Sequence, residues 1–331
     1  MDSKLCKVIS RYFDCEAEEL ILLKEKPGRR KVWMLKADGM RYILKWFSKR
    51  MCTSPTPVLV QECLWSKRLN VPSVIRSKTG DLYVEFEDGF FYVSEFINHT
   101  KERPALEERT AMLLSLHNVK LEDKYTEIKD MAKTKRSFLA KYQMNINLLK
   151  KWHNHSSFFA GLSHCIKGAE LSLSLIHSFD LNEYFSFVLE EGLLYHGDFN
   201  VSNILTGTSG DNYLIDFDKT AVGPQIIDIQ MYYRKLFSNN PDEIKDQIAK
   251  FYTEYFQKRP KIEKYKALYY FDALFPHRIC LVLYKLGEIY TDTGNLKDMF
   301  SSAAAHLHHN SLEELLIWEK AREQSVKQFF M

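Results

Sequence analysis

The carboxylates of Asp198, Asp216 and Asp218, the amides of Asn200 and Asn203 and the histidine His196 are packed into one short stretch, Tyr195–Asp218, which reads YHGDFNVSNILTGTSGDNYLIDFD. Apolar runs flank it, and a buried carboxylate is costly unless it is paired or binds a cation. The stretch therefore reads as a site for a cation and a proton acceptor. Residue types also give its local geometry. Gly197 lets the backbone turn sharply and presents Asp198 on a loop. Asn203 to Leu205 begins a short strand, Thr206 to Asp211 turns the chain, and Asn212 to Ile215 returns as the second strand of a hairpin. Folding back brings Asp216 beside Asn203. Magnesium takes one or two carboxylates and fills its shell with phosphate and water oxygens, so Asn203 and Asp216 are the candidate metal ligands. Asp198, five residues before Asn203, is left to accept a proton from an attacking hydroxyl. His196 is expected to order the loop, and Asp218 either to join the metal shell or to hydrogen-bond the loop.

The spacing D-x-x-x-x-N, followed by an Asp after a hairpin, is the catalytic arrangement of protein kinases. Here His-Gly rather than His-Arg precedes Asp198, and Phe-Asp rather than Phe-Gly follows Asp216. In both respects the chain resembles the aminoglycoside phosphotransferase and choline kinase superfamily. A hairpin that only caps and turns would not explain this spacing together with this order of chemical types. The resemblance implies an α+β, two-lobe protein-kinase-like fold. A small antiparallel-sheet lobe would span 1–97 and a large, mainly helical lobe 98–331, with the catalytic loop and metal-binding hairpin at 195–218. It also implies ATP and Mg2+ as cofactors and a hydroxyl of a small molecule as phosphoryl acceptor. In the superfamily, acceptor specificity sits in a variable helical insert, here about 118–190. That insert carries no acid cluster of the kind a polycationic aminoglycoside needs, and a sugar, polyol or other hydroxyl compound fits at least as well.

The elements that must position these residues can be read from the start of the chain. Residues 3–15 have helical spacing. A strand at about 20–25 turns at Lys26 to Arg30 into Val32 to Ala37, and Asp38-Gly39 turns again into Tyr42 to Phe47. In a kinase-like small lobe the first turn covers the nucleotide phosphates and the third strand carries a lysine that contacts them, so Lys45 is the candidate; its plain reading is an outward lysine on an alternating strand. The first turn has one glycine and three basic residues. Arg29 and Arg30 read either as phosphate contacts or as a solvated basic turn, the turn being the plainer account. After the break at Thr53 to Pro57, a helix from Val58 to Leu69 contains Glu62, the candidate partner of Lys45; the alternative is a surface glutamate. Strands at Val74–Ile75, Leu82 to Glu87 and Phe90 to Phe96 follow, with turns at Lys78 to Asp81 and Glu87 to Gly89. Where a kinase chain crosses between lobes its backbone bonds the adenine edge, which makes Glu95 and Ile97 the hinge candidates by resemblance alone.

From Arg103 the pattern is helical: Leu106 to Leu116, Asp130 to Trp152, Phe158 to Leu189, and, past the hairpin, Asp242 to Gln257, Ile262 to Tyr290 with a proline kink, and Ser311 to Val326. The phrase FPHR with its tyrosine-ended helix, TGDLYVEFEDGFFYVSEFI, and the DFDKT-to-DIQMYYRK connection are similar to the bacterial spore-coat kinase-like proteins. That resemblance implies synthesis in the cytoplasm of an endospore-forming bacterium and incorporation in the spore coat, with other coat proteins as partners. With 331 residues, 45% of them hydrophobic, and a net charge of +3, the chain has enough apolar material for a large core and gives no argument for nucleic acid. Neither a signal peptide nor a membrane span is expected, so the expected location is cytoplasmic. Six scattered cysteines without a C-x-x-C pair read as reduced thiols. A kinase-fold scaffold of the coat, catalytically weak or silent, is the alternative reading. A protein kinase is disfavoured by the His-Gly-Asp form and by the lack of an A-P-E segment after Asp216.

Overall fold

A computed structural model describes residues 3–50, 55–87, 89–121, 128, 134–290, 294–307 and 309–330. Thr53, Asp88 and Asp130, and most of 122–133 in the expected acceptor insert, lie outside the described residues. Contacts group the chain into two compact units, Met1–Ala132 with Leu194–Val222, and Lys133–Leu193 with Gly223–Met331. The hairpin segment thus clusters with the N-terminal sheet, whereas the sequence reading divided the chain at 97.

The first unit is built on an antiparallel sheet. Helix α1 (Ser3–Ile9) is followed by β1 (Glu19–Lys26), β2 (Arg30–Ala37) and β3 (Met40–Ser48), then α2 (Thr56–Ser66), β4 (Val74–Ile75), β5 (Val84–Phe86), β6 (Gly89–Glu95) and α3 (Leu106–His117). The strand order is β1-β2-β3-β6-β4, with β5 also on β6. Alternation along β2, β3 and β6 sends Trp33, Leu35, Leu44, Trp46, Phe91 and Val93 into a core shared with Leu5, Val8 and Ile9 of α1. The helix expected over 3–15 stops at Ile9, and Tyr12 and Phe13 complete the core from the following turn. On the opposite face of β3 the register sets Lys45 between Val32 and Tyr92. The hairpin segment adds β7 (Leu194–Tyr195), β8 (Ile204–Thr206), β9 (Asn212–Leu214) and β10 (Ala221–Val222), paired as β7-β10 and β8-β9.

The second unit is helical: α4 (Lys135–His155), α5 (Leu162–Ser178), α6 (Leu181–Glu190), α7 (Ile226–Met231), α8 (Pro241–Gln257), α9 (Pro260–Glu263), α10 (Lys266–Ala273), α11 (His277–Ile289), α12 (Leu296–Ala304) and α13 (Leu312–Phe330). Two long apolar patterns are broken, the second at the proline where a kink or a break was expected. The run 158–189 is interrupted at Phe179-Asp180, because the Asp180 carboxylate accepts from the N–H groups of Asn182 and Glu183 and so starts a new helix. The run 262–290 is cut by the Pro276 turn into α10 and α11. Tyrosines fill much of this core, with Tyr232, Tyr233, Tyr252, Tyr255 and Tyr269 wholly buried. A buried polar cluster centres on Asp272, whose Oδ1 accepts from Tyr142 Oη, from Gln230 Nε2 at 2.8 Å and from His277 Nε2 at 3.2 Å. No described helix is long and apolar enough to cross a membrane.

Candidate active site

The site is built on the loop after β7. His196 is fully buried; its Nε2 donates to the carbonyl of Ile215 at 3.0 Å and its Nδ1 accepts from the N–H of Asp198 at 3.2 Å. These bonds fix the neutral tautomer and tie the Asp198 loop to the end of the hairpin. Between them, Gly197 adopts φ +78°, with the carbonyl oxygen of Lys219 where a Cβ would stand. Only glycine passes there without strain. Asp198 then receives four hydrogen bonds from three residues that fix its place. Asn200 Nδ2 donates to its carbonyl at 2.8 Å and to its Oδ1 at 3.1 Å; Asn203 Nδ2 donates to the same carbonyl at 2.9 Å; Lys219 Nζ donates to its Oδ2 at 2.9 Å.

The second strand of the hairpin then delivers Asp216. Ile204 pairs with Leu214, and the N–H of Ile215 donates to the carbonyl of Asn203 at 2.9 Å, so Asn203 and Asp216 sit at the same end of the hairpin. Asp216 has φ +70°, a left-handed conformation that aspartate tolerates better than most residues but that still costs about 1–2 kcal/mol. Strain of this kind collects where a side chain must be aimed. Burial acts to raise the Asp216 pKa, but the charges of Lys45, Arg30 and Lys24 and the Arg30 hydrogen bond together hold it below the usual carboxylate range. Burial likewise pushes the Lys45 ammonium below its ordinary value, with Asp216 opposing and Arg30 adding to the shift.

Arg30 is where the sequence reading fails. It is not a solvated turn residue: it is 8% exposed, its Nη1 donates to Asp216 Oδ1 at 2.8 Å, and the same Nη1 is paired with Asp218 Oδ2. Two half-buried acids converging on one place attract a cation, and the first residue of β2, itself buried, supplies one. Lys219, on the carboxylate of Asp198, was also not foreseen. The only local signal for either is the basic turn at 29–31 and the lysine directly after Asp218.

Glu62 does not meet Lys45. Its carboxylate takes Arg76 Nη2 at 2.6 Å, and α2 instead presents Gln61 to the cavity that Lys45 lines. Gln61 is buried and donates to the carbonyl of Pro72 at 2.7 Å. One residue along a helix is about 100° around it, which is the whole of the difference. The cavity itself measures about 240 Å³; Lys45 and Asp216 lie on its wall with Leu23, Val32, Ile43 and Leu205. Glu95 and Ile97 are on its rim. The Glu95 N–H is taken by the carbonyl of Ser73 at 3.0 Å, and its carboxylate accepts from Ser73 Oγ at 3.1 Å. Ile97 uses its carbonyl to accept from His99 Nδ1 at 3.1 Å.

The donor set suits a hard divalent cation that also binds phosphate. Asp216 and Asp218 supply carboxylate oxygens, Asp218 Oδ1 is buried without a hydrogen-bond partner, and Asn203, whose NH2 donates to the Asp198 carbonyl, adds an amide oxygen to the donor set. Among the described residues no three acidic, histidine or cysteine side chains converge, so the protein offers the partial shell that magnesium takes beside phosphates, not a full cage.

Residues 182–265 match the phosphotransferase enzyme family, APH. No curated protein matches the chain by sequence. Among solved structures, an aminoglycoside phosphotransferase from Alicyclobacillus acidocaldarius is 16% identical, with a TM-score of 0.66 over 97% of this chain and 96% of its own. A spectinomycin phosphotransferase in complex with ADP and spectinomycin is 14% identical, with a TM-score of 0.59 over 96% and 98%. A microcompartment-associated aminopropanol kinase is 16% identical, with a TM-score of 0.54 over 92% and 94%. At these identities the likeness is one of fold, and the chain has the kinase-like fold, with an antiparallel sheet at its N-terminal end and a mainly helical remainder.

Proposed function

We propose that the chain is an ATP-dependent phosphotransferase that moves the γ-phosphoryl group to a hydroxyl of a small molecule. The observation that carries this reading is that one compact unit brings Asp198, Asn203, Asp216 and Lys45 together with an apolar cavity rimmed by Ile97. The base of the nucleotide fits the cavity, with the backbone of Ile97 beside its edge. Lys45 faces the phosphates. Asn203 and Asp216, with Asp218 beside them, hold magnesium, which neutralises phosphate charge when bound. Asp198, held by Asn200, Asn203 and Lys219, orients the acceptor hydroxyl and takes its proton. Phosphoryl transfer is mostly positioning and charge stabilisation, so this set is chemically sufficient. Glu62, engaged by Arg76, drops out of the nucleotide-binding set, and Gln61 is the α2 residue at the cavity.

The match over 182–265 and the fold of the solved phosphotransferases support a small-molecule acceptor. The similar phrases at 79–97 and 275–290 support a place in a spore coat. Turnover of ATP and of GTP by wild type and Asp198→Asn, with magnesium and a panel of sugars, polyols, amino alcohols and aminoglycosides, tests the reading. Acceptor-stimulated turnover that falls by about 100-fold or more in Asp198→Asn, with nucleotide affinity retained, is the expected result. A second reading, a coat scaffold without catalysis, is favoured by the cation already seated on Asp216 and Asp218. Failure of the wild type to bind any nucleotide with magnesium would decide for it.

A further inference from the structure

The Arg30 guanidinium occupies the position between Asp216 and Asp218 that the reading above gives to magnesium. It is buried, it bonds both acids through Nη1, and its Nε has no hydrogen-bond partner. It stands on the first residue of β2, directly after the β1–β2 turn, and Lys24 of β1 is close enough to act on Asp216 as well. A structural ion pair would be expected to satisfy its polar atoms. Here one guanidinium nitrogen and one carboxylate oxygen, Asp218 Oδ1, are left buried and unbonded. A guanidinium is also the side chain whose planar fork fits phosphate as well as carboxylate.

We propose that Arg30 is an exchangeable cation: it holds Asp216 and Asp218 until a metal–triphosphate complex enters, and then passes from the two carboxylates to the phosphate oxygens. This rests on the phosphotransferase reading. It gives the β1–β2 turn, which has one glycine where a kinase phosphate loop has several, a side chain in place of backbone N–H groups as its phosphate contact. It also accounts for two acids in D-F-D rather than one, since the pair that binds Arg30 is the pair released to the metal. The acids keep a cation throughout, because the dication reaches them as the guanidinium leaves for the phosphates, whose negative charge it then meets. Free divalent cation, bringing no phosphate, must displace Arg30 with nothing to receive it. The unliganded protein should therefore bind metal weakly until the nucleotide is present.

The test compares wild type, Arg30→Met and Arg30→Lys. Mn2+ binding without nucleotide is measured by electron paramagnetic resonance, and magnesium-ATP and adenosine binding by calorimetry. Arg30→Met should bind free Mn2+ about tenfold or more tighter and magnesium-ATP about tenfold or more weaker, with adenosine unchanged, because only the charge-assisted bonds to acids and phosphate are lost. Arg30→Lys, which keeps a cation but not the fork and preserves most of the packing, should gain Mn2+ affinity while keeping most of the affinity for magnesium-ATP. A wild type that binds neither ATP nor adenosine would overturn the phosphotransferase reading and this proposal with it. A wild type that binds both, with Mn2+ and magnesium-ATP affinities unchanged in the two variants, would overturn the proposal alone. So would an equal loss of adenosine and ATP affinity in Arg30→Met, which would make Arg30 a prop for the cavity wall.

Discussion

Replacing Gly197 by alanine separates two physical costs that coincide at that position. The left-handed backbone at φ +78° costs an L-residue about 1–2 kcal/mol wherever it occurs. The new methyl also stands 2.6 Å from the Lys219 carbonyl oxygen and 2.9 Å from its Cβ. A backbone carbonyl cannot rotate away, so either the Asp198 loop or the 217–220 turn must shift, at a further cost of about 1–3 kcal/mol. Gly210 is the matched control: it has φ +91° and no atom within 4 Å of its Cβ position, so Gly210→Ala carries the first cost alone. Thermal unfolding should therefore rank Gly197→Ala below Gly210→Ala, and Gly210→Ala below wild type. The displaced atoms matter more than the energy. Asp198 directly follows Gly197 and Lys219 bonds its carboxylate, so a shift on the order of 1 Å should lower turnover by about 100-fold, while Gly210→Ala keeps its rate. If both variants lose the same stability and both keep wild-type turnover, the tight fit at 197 does not position the aspartate, and the argument for a rigid catalytic loop fails.

Two further outcomes follow from charges in the structure. Lys45→Met should weaken magnesium-ATP binding by about 10- to 100-fold while leaving adenosine binding unchanged, as measured by calorimetry, since only a charge-assisted phosphate contact is removed; equal weakening of both ligands would show that Lys45 serves the cavity and not the phosphates. His277 is buried with Nδ1 lacking any acceptor, and burial holds its pKa below the usual value of 6.5 against the opposing pull of Asp272. The unfolded chain then takes up a proton that the folded chain refuses, so the stability His277 confers is complete above about pH 6.5 and is lost as pH falls from there through the folded pKa. Denaturation midpoints between pH 8 and pH 5.5 should drop in wild type and drop less in His277→Gln, which keeps a donor toward Asp272 but does not titrate. Parallel curves would refute it.

The loop and hairpin were legible because their logic is local. His196, Gly197, Asp198, Asn203 and Asp216 are fixed by bonds within 24 residues of one another, and each residue type states its own requirement. The sheet was legible for the same reason, through period-two alternation and glycine turns. The place of Lys45 on β3 followed from the same alternation. Glu62 did not, because α2 buries Thr56, Pro57, Val58, Val60, Gln61, Cys63 and Leu64, leaving no clear polar face from which to read its rotation. A buried glutamine looks like a surface residue in sequence, and here it lines the cavity. Arg30 lies 186 residues from Asp216, a pairing that only the tertiary fold creates. The broken helices at 179–180 and 276 show how a capping aspartate and a proline override an apolar pattern that continues on both sides of them.

The pairing of Arg30 with Asp216 and Asp218 also bears on whether this chain does chemistry at all. An ion cluster taken largely out of water is weak support for a fold, because the cost of partly desolvating Asp216 and Asp218 with the buried Arg30 offsets their attraction, and apolar residues of similar volume do as well or better, by about 1–4 kcal/mol where burial is complete. This cluster is poorer than most, with Arg30 Nε and Asp218 Oδ1 buried and unbonded. The double variant Arg30→Met with Asp218→Leu removes one cation and one anion together and should unfold at the same temperature as wild type or above it, whereas magnesium-dependent ATP binding should be lost. A marked fall in unfolding temperature would show instead that the cluster fastens β2 to the hairpin. The acids would then be structural, and their place beside Lys45 and the cavity would no longer argue for phosphoryl transfer.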